Sequence, residues 1–181
     1  MGAEKFQMRY YKYLCLAVLG FCLGFWSGKA HGSDPNGDAF CLAQNIYFEA
    51  GNQPLAGKLA VAQVVKNRVE SPMFPDTICE VIYQAKEHYQ SWYSGEIIPK
   101  RGMCQFSWYC DGKSDEPEDS KTWIASMQLA HRIIKGDKYD ITIADFDITE
   151  GALWYHADYV RPYWSAHLNQ TVIINNHIFY K

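Results

Sequence analysis

Between residues 38 and 135, apolar positions recur at the three- and four-residue spacing of helices. Asp38 is placed to cap a first helix running to about Ala50. Phe40, Ala43, Ile46 and Ala50 lie along one face of it with Tyr47 beside them, and Gly51 is its stop. Asn52 and Pro54 open a second helix to about Glu70. Its stripe is Leu55, Leu59, Ala62, Val65 and Val69, widened by Val61 and Val64, which predicts the most buried helix of the fold; Pro72 ends it. Asp76 begins a short third helix through Gln84, with Thr77 and Glu80 spaced for a capping box. A fourth helix is predicted over Ser120–Lys135, with Trp123, Met127, Ala130 and Ile134 inward and Gly136 as its cap.

Elsewhere the period changes. Residues 86–118 hold no sustained helical pattern, only a short β-like run from Gln105 to Tyr109 and then an acidic loop, Asp111–Asp119. The loop reads as a solvated charge cluster, because its spacing is not that of an EF-hand. In the tail, Thr171–Ile174 and His177–Tyr180 alternate in the β sense around Asn175-Asn176, a two-residue hairpin signal. These elements predict an α+β domain, mainly helical with a small antiparallel β part.

The N-terminus reads differently from the rest. Lys5, Arg9 and Lys12 precede an apolar run from Tyr13 to Trp26, which exits through Ser27, Gly28 and Ala30. The run is about 14 residues, short of the roughly 20 that span a bilayer. Residues 1–30 are therefore expected to be a secretory signal peptide or an uncleaved N-terminal anchor, residues 31–37 a linker, and residues 38–181 one domain. Export to a periplasmic or extracellular site follows, with membrane contact only through the N-terminal segment.

Without residues 1–30 the chain keeps 13 basic residues against 19 acidic ones, a net charge of −6. No basic patch stands out, which argues against nucleic-acid binding. Aromatic residues make up 15% of the chain, a content that suits either a sugar-stacking cleft or a Tyr- and Trp-rich core. Cys15 and Cys22 fall in the N-terminal segment. Cys41, Cys79, Cys104 and Cys110 remain, an even number that predicts one or two disulfides of undetermined pairing.

Glu49 is the candidate for chemistry. It lies three residues after Ile46 and seven after Leu42, beside the buried stripe and next to Tyr47 and Phe48. A carboxyl against an apolar wall loses solvation, and its pKa rises toward what a general acid needs. The competing reading is a helix-end Glu reaching water or an Arg such as Arg68. Glycoside cleavage often adds a second carboxylate, for which Asp111, Asp145, Asp147 and Asp158 are candidates. His156, His167 and His177 with Glu49 form an alternative zinc set, although no tight H-E-x-x-H spacing occurs. Cys104 with His156 would suit a thiol peptidase, which an even cysteine count disfavours.

Ordered blocks then carry a resemblance. Ile46-Tyr47-Phe48-Glu49-Ala50, Gly57 and Val61 through Val69 resemble the start of the SleB/CwlJ-type cell wall hydrolase family. Phe74 through Gln84, Cys104 through Trp108, Gly151 through Ala157 and His177 through Tyr180 are similar to its later blocks, in order. The resemblance implies a lysozyme-like fold and cleavage of the β-1,4 bond between N-acetylmuramic acid and N-acetylglucosamine in peptidoglycan. It implies a lytic transglycosylase with Glu49 as its one catalytic carboxyl, working on glycan strands as a monomer without metal or organic cofactor. Gln105, Ser107 and Tyr155 are the expected substrate-binding residues, with Tyr155 also placed to orient Glu49. A zinc-dependent amidase and a non-catalytic wall-binding protein are the alternatives.

The chain departs from the family at two points. Gly51-Asn52-Gln53 stands where the family carries Arg-Gly-Glu, which favours a mechanism needing a single carboxylate. Asn175-Asn176 replaces a glycine-containing turn, and Asn tolerates the positive φ required there.

Overall fold

The computed structural model describes residues 35–135 and 146–181. The predicted signal or anchor segment 1–30, most of the linker, Gly136 and Asp145 lie outside the described residues. Residues 33–181 form one compact unit, and among the described residues no helix is long and apolar enough to cross a membrane.

Among the described residues four α-helices carry the fold: α1 (Pro35–Ala50), α2 (Leu55–Glu70), α3 (Ile78–Ile82) and α4 (Ser120–Lys135). Helix α1 packs against α2, α3 and α4. Leu42, Ala43, Ile46 and Ala50 are fully buried on it, and Asn45 and Gln44 are buried as well. Phe40, expected inside, is instead 45% exposed and packs edge-to-face with Trp123 at 5.5 Å.

The valine run in α2 has a specific cause. Ala62 and Val65 face the helical core, whereas Ala60 and Val64 face a second cluster with Ala152 and Phe179 under the sheet. A helix sandwiched between two layers must be apolar on both sides. Leu55, predicted in the stripe, is 56% exposed because it precedes the point where the sheet begins to cover the helix.

Helix α3 is shorter than predicted, and its cap is as read. Thr77 Oγ1 accepts from the Glu80 amide at 3.3 Å and donates to Glu80 Oε2 at 2.8 Å. Helix α4 matches its predicted span, but its deepest positions are Ser126, Leu129, Ala130 and Ile133. Trp123, Met127 and Ile134 flank that stripe.

The described residues also form two small antiparallel sheets. Residues 86–118, predicted to lack helices, contain a hairpin not read from the sequence, β1 (His88–Gln90) with β2 (Ile97–Pro99). Three-residue strands are too short to show a period. The run from Gln105 to Tyr109 is not a strand: Ser107–Cys110 forms a 3-10 helix, because Cys104 and Cys110 lie at disulfide distance and the six-residue span must coil to close. The second sheet has the order β3-β5-β4, from β3 (Trp154–Ala157), β4 (Gln170–Ile174) and β5 (His177–Tyr180). Its hairpin turns at Asn175, φ +50°, as the Asn-Asn signal predicts. Gly57 of α2 lies against that turn: a Cβ there would sit 2.7 Å from Asn175 Nδ2 and 2.9 Å from Gln53 Cβ. A glycine is what lets helix and hairpin approach this closely.

Cys41 of α1 faces Cys79 of α3 as the other disulfide pair, with Cα atoms 5.3 Å apart.

Candidate active site

Glu49 sits in the last turn of α1, where the helix meets the sheet. Tyr155 reaches it from β3. Tyr155 pairs in register with Phe179, so both point to the helices, while the alternate residue His156 points to the opposite face with Tyr180. The Tyr155 hydroxyl donates to Glu49 Oε2 at 3.0 Å. Tyr155 packs against Phe179 at 5.5 Å and, edge-to-face, against His177 at 5.2 Å.

Beneath them lies Arg68, only 4% exposed. Its Nε donates to the Leu153 carbonyl at 2.8 Å, and the guanidinium sits over the rings of Phe74 and Phe106 at 5.0 and 5.1 Å. It makes no ion pair with Glu49, so the simple helix-end pairing does not occur. Its Nη1 has no hydrogen-bond partner among the described residues. Arg68 escaped the sequence reading as a site residue, yet the signal was present. It falls seven residues after Val61 and three after Val65, on a buried face of α2.

Burial of the carboxyl group raises the pKa of Glu49; the Tyr155 hydrogen bond and the Arg68 charge oppose that rise without cancelling it. Burial lowers the pKa of Arg68, against the opposing effects of Tyr155 and Glu49. Burial and then the Glu49 charge push the Tyr155 phenol well above its ordinary value, so it remains a donor. The arrangement can hold a neutral carboxyl in a polar slot and can stabilise its anion once the proton has left.

These groups open into a cleft of about 590 Å³ that brings together all four predicted site residues, Glu49, Gln105, Ser107 and Tyr155. Gln105 and Ser107 come from the segment closed by Cys104 and Cys110 rather than from a strand. The wall behind is aromatic. Phe48 stacks on Trp108 at 4.8 Å, and the Trp108 indole donates to Asn45 Oδ1 at 3.1 Å. The acidic loop lies along one side, tied to α1: the Tyr47 hydroxyl accepts from the Glu118 and Asp119 amides at 3.1 and 3.0 Å, and Gln44 donates to the Asp115 carbonyl. Gln44 in turn accepts from the Tyr83 hydroxyl.

The other sequence candidates separate. Asp111 lines the cleft and pairs with Lys113 at 3.5 Å. Asp147 does not line it; it accepts from Thr149 N and Oγ1, Gly151 N and Asn67 Nδ2. Burial opposes its ionisation, yet those four donors together lower its pKa. Asp158 stands exposed after β3, its amide bonded to the Asn176 carbonyl. His156 places Nδ1 2.8 Å from the Ala157 carbonyl and Nε2 2.9 Å from the Tyr180 hydroxyl. A carbonyl only accepts, so in the neutral ring Nδ1 carries the proton. Burial lowers the pKa of His177, with Asp158 opposing. His167 packs on Tyr163 away from the cleft. Among the described residues, no group of three His, Cys, Asp or Glu is arranged to hold a metal ion. Cys104 faces Cys110 and is not a free thiol beside His156.

A sequence model of the cell wall hydrolase family matches residues 52–180. The chain belongs to that family. The matched span begins three residues beyond Glu49, so the case for that residue is carried by the geometry above. The chain is 42% identical over 53 residues to a spore cortex-lytic enzyme of Bacillus subtilis, covering 29% of the chain and 17% of that relative. It thus spans under a fifth of the relative's length. Among solved structures it is similar to the catalytic domain of the Bacillus cereus SleB protein, with a TM-score of 0.55 and 26% identity over 86% of this chain and 99% of that one. The catalytic domain of the germination-specific lytic transglycosylase SleB from Bacillus anthracis matches with the same TM-score and identity, over 83% and 98%. The α+β architecture is that of the SleB catalytic domain.

Proposed function

We propose that this chain degrades peptidoglycan as a lytic transglycosylase, cleaving the MurNAc–GlcNAc β-1,4 bond with Glu49 as acid and then base. One observation carries the reading. Glu49 is a desolvated carboxyl facing the cleft, hydrogen-bonded by a tyrosine and underlain by a buried arginine. Family membership and the likeness to a lytic transglycosylase domain support the substrate class.

The neutral carboxyl donates its proton to the glycosidic oxygen as the C1–O bond breaks. Positive charge develops on the muramyl ring, while Tyr155 and Arg68 stabilise the new carboxylate. Glu49 then takes the proton of the muramyl 6-hydroxyl, whose oxygen closes on C1 to give a 1,6-anhydro end. The balance needs no water and no second carboxylate, consistent with Gln53 standing where the family carries Glu. Gln105 and Ser107 hydrogen-bond the sugar's N-acetyl and hydroxyl groups. The domain over residues 38–181 acts outside the cytoplasm, delivered by the N-terminal segment.

A second reading rests on Asp111, a carboxylate that also lines the cleft. With Asp111 activating a water, the same acid gives hydrolysis. Mass spectrometry of fragments released from purified sacculi separates the two. Anhydro-muramyl ends mark transglycosylation, hydrated reducing ends mark hydrolysis, and free stem peptides exclude both. Glu49→Gln is expected to lower fragment release by about 10² to 10⁴-fold with the fold intact; full activity in that variant removes Glu49 from the mechanism.

A further inference from the structure

A second cavity, of about 470 Å³, lies on the far side of Gln105 and has no part in the chemistry above. Gln105 lines both spaces. Its main chain is fixed there: the backbone amide donates to the Gln84 carbonyl at 2.9 Å, and it directly follows Cys104, which faces Cys110. The second cavity has Tyr163, Trp164 and His167 from the 3-10 segment Tyr163–His167, Trp154 from β3, and Lys86 at the foot of the β1–β2 hairpin.

The lining has a definite chemistry. Tyr163 is 84% exposed, and its ring leans on His167 at 4.8 Å, so a large flat face is held in place and offered to solvent. Trp164 is fixed from behind by Tyr180 and His156 at 5.5 and 5.6 Å. Among the described residues no carboxylate lines the cavity, although the chain is acidic overall, with a net charge of −3. Lys86 is exposed and makes no ion pair among the described residues. Aromatic faces suit the apolar faces of sugar rings, and an unpaired ammonium suits a carboxylate hanging from them.

We infer that this cavity is a second binding site for the glycan strand, continuous with the cleft across Gln105. It holds sugar units beyond the cleaved bond, with Tyr163 stacking on a ring and Lys86 meeting a carboxylate of the peptide substituent. The inference rests on the cleft's being a glycan-cleaving site. A polymer bridges two cavities that share Gln105 in their lining, whereas a short fragment occupies the cleft alone. The second site therefore acts on affinity for long strands and leaves chemistry at the bond untouched.

The test compares the parent chain with Tyr163→Ala and Lys86→Ala on two substrates, purified sacculi and a soluble GlcNAc–MurNAc tetrasaccharide. Each variant is expected to raise the half-saturating sacculus concentration about tenfold, or about a hundredfold together, with unchanged turnover at saturation and unchanged tetrasaccharide cleavage. In a Glu49→Gln background, the same substitutions should reduce co-sedimentation with sacculi. Equal loss on both substrates, or no loss on either, overturns the second site. So does a light-scattering change showing that Tyr163 holds a second copy of the chain. A parent that releases no glycan fragment from either substrate overturns the cleft reading itself, an outcome distinct from variants that match an active parent.

Discussion

A carboxyl held without water is costly to the fold, and Glu49 makes that cost measurable. Its folded-state pKa lies above the ordinary carboxylate value of 4.5 because of burial. Below that ordinary value the group is neutral in both folded and unfolded chains and carries no penalty. As pH rises through the raised folded value, the folded state must ionise a desolvated group, and stability is lost. Glu49→Gln, which never ionises, should match the parent melting temperature near pH 4 and exceed it at pH 8, read by calorimetry at both. Tyr155→Phe acts in the other direction on the same group. The phenol favours the carboxylate, so its removal raises the Glu49 pKa further. The basic limb of the rate–pH profile should move to higher pH, with activity down about tenfold; an unmoved limb would detach Tyr155 from Glu49. Glu49 was legible as a carboxyl beside an apolar stripe. Tyr155 was legible only through resemblance, because its contact spans 106 residues and no local period encodes it.

At the scale of elements, close approach and loop satisfaction decide how the site is assembled. Gly57→Val would drive a branched side chain into Gln53 and Asn175, pushing the β4–β5 hairpin off α2. The expected cost is about 1–3 kcal/mol, visible as a lower denaturant midpoint. The loop entering β3 depends on Asp147, whose four donors include Asn67 of α2. Asp147→Ala should cost about 1–3 kcal/mol by orphaning them. Because those bonds depress the Asp147 pKa, its contribution is present above the ordinary carboxylate value and fades as pH falls through the depressed one. The variant and the parent should therefore converge in stability under strong acid. Long periodic segments such as α2, α4 and the Asn-Asn hairpin could be read directly. The β1–β2 hairpin and the coil at Ser107 could not, since three-residue strands have no period and a disulfide overrides the alternation from Gln105 to Tyr109.

Over the whole molecule, the helical layer and the sheet are joined through α2, and the Cys41–Cys79 pair clamps α1 to α3 across 38 residues. Replacing both cysteines by alanine should lower stability by about 2–4 kcal/mol, measured as a fall in melting temperature under oxidising conditions. The sequence pattern distinguished the layers, but it did not reveal that α2 serves both: a stripe shows that a face is buried, not how many partners bury it. The placement of Glu49 in the last turn of α1 has one more consequence. The aligned peptide groups of a 16-residue helix leave about half a negative charge at that end. No basic residue in that turn offsets it. The backbone field thus opposes the carboxylate and favours the return of a proton after each cleavage. Reversing that contribution would require altering the helix itself rather than the side chains around Glu49.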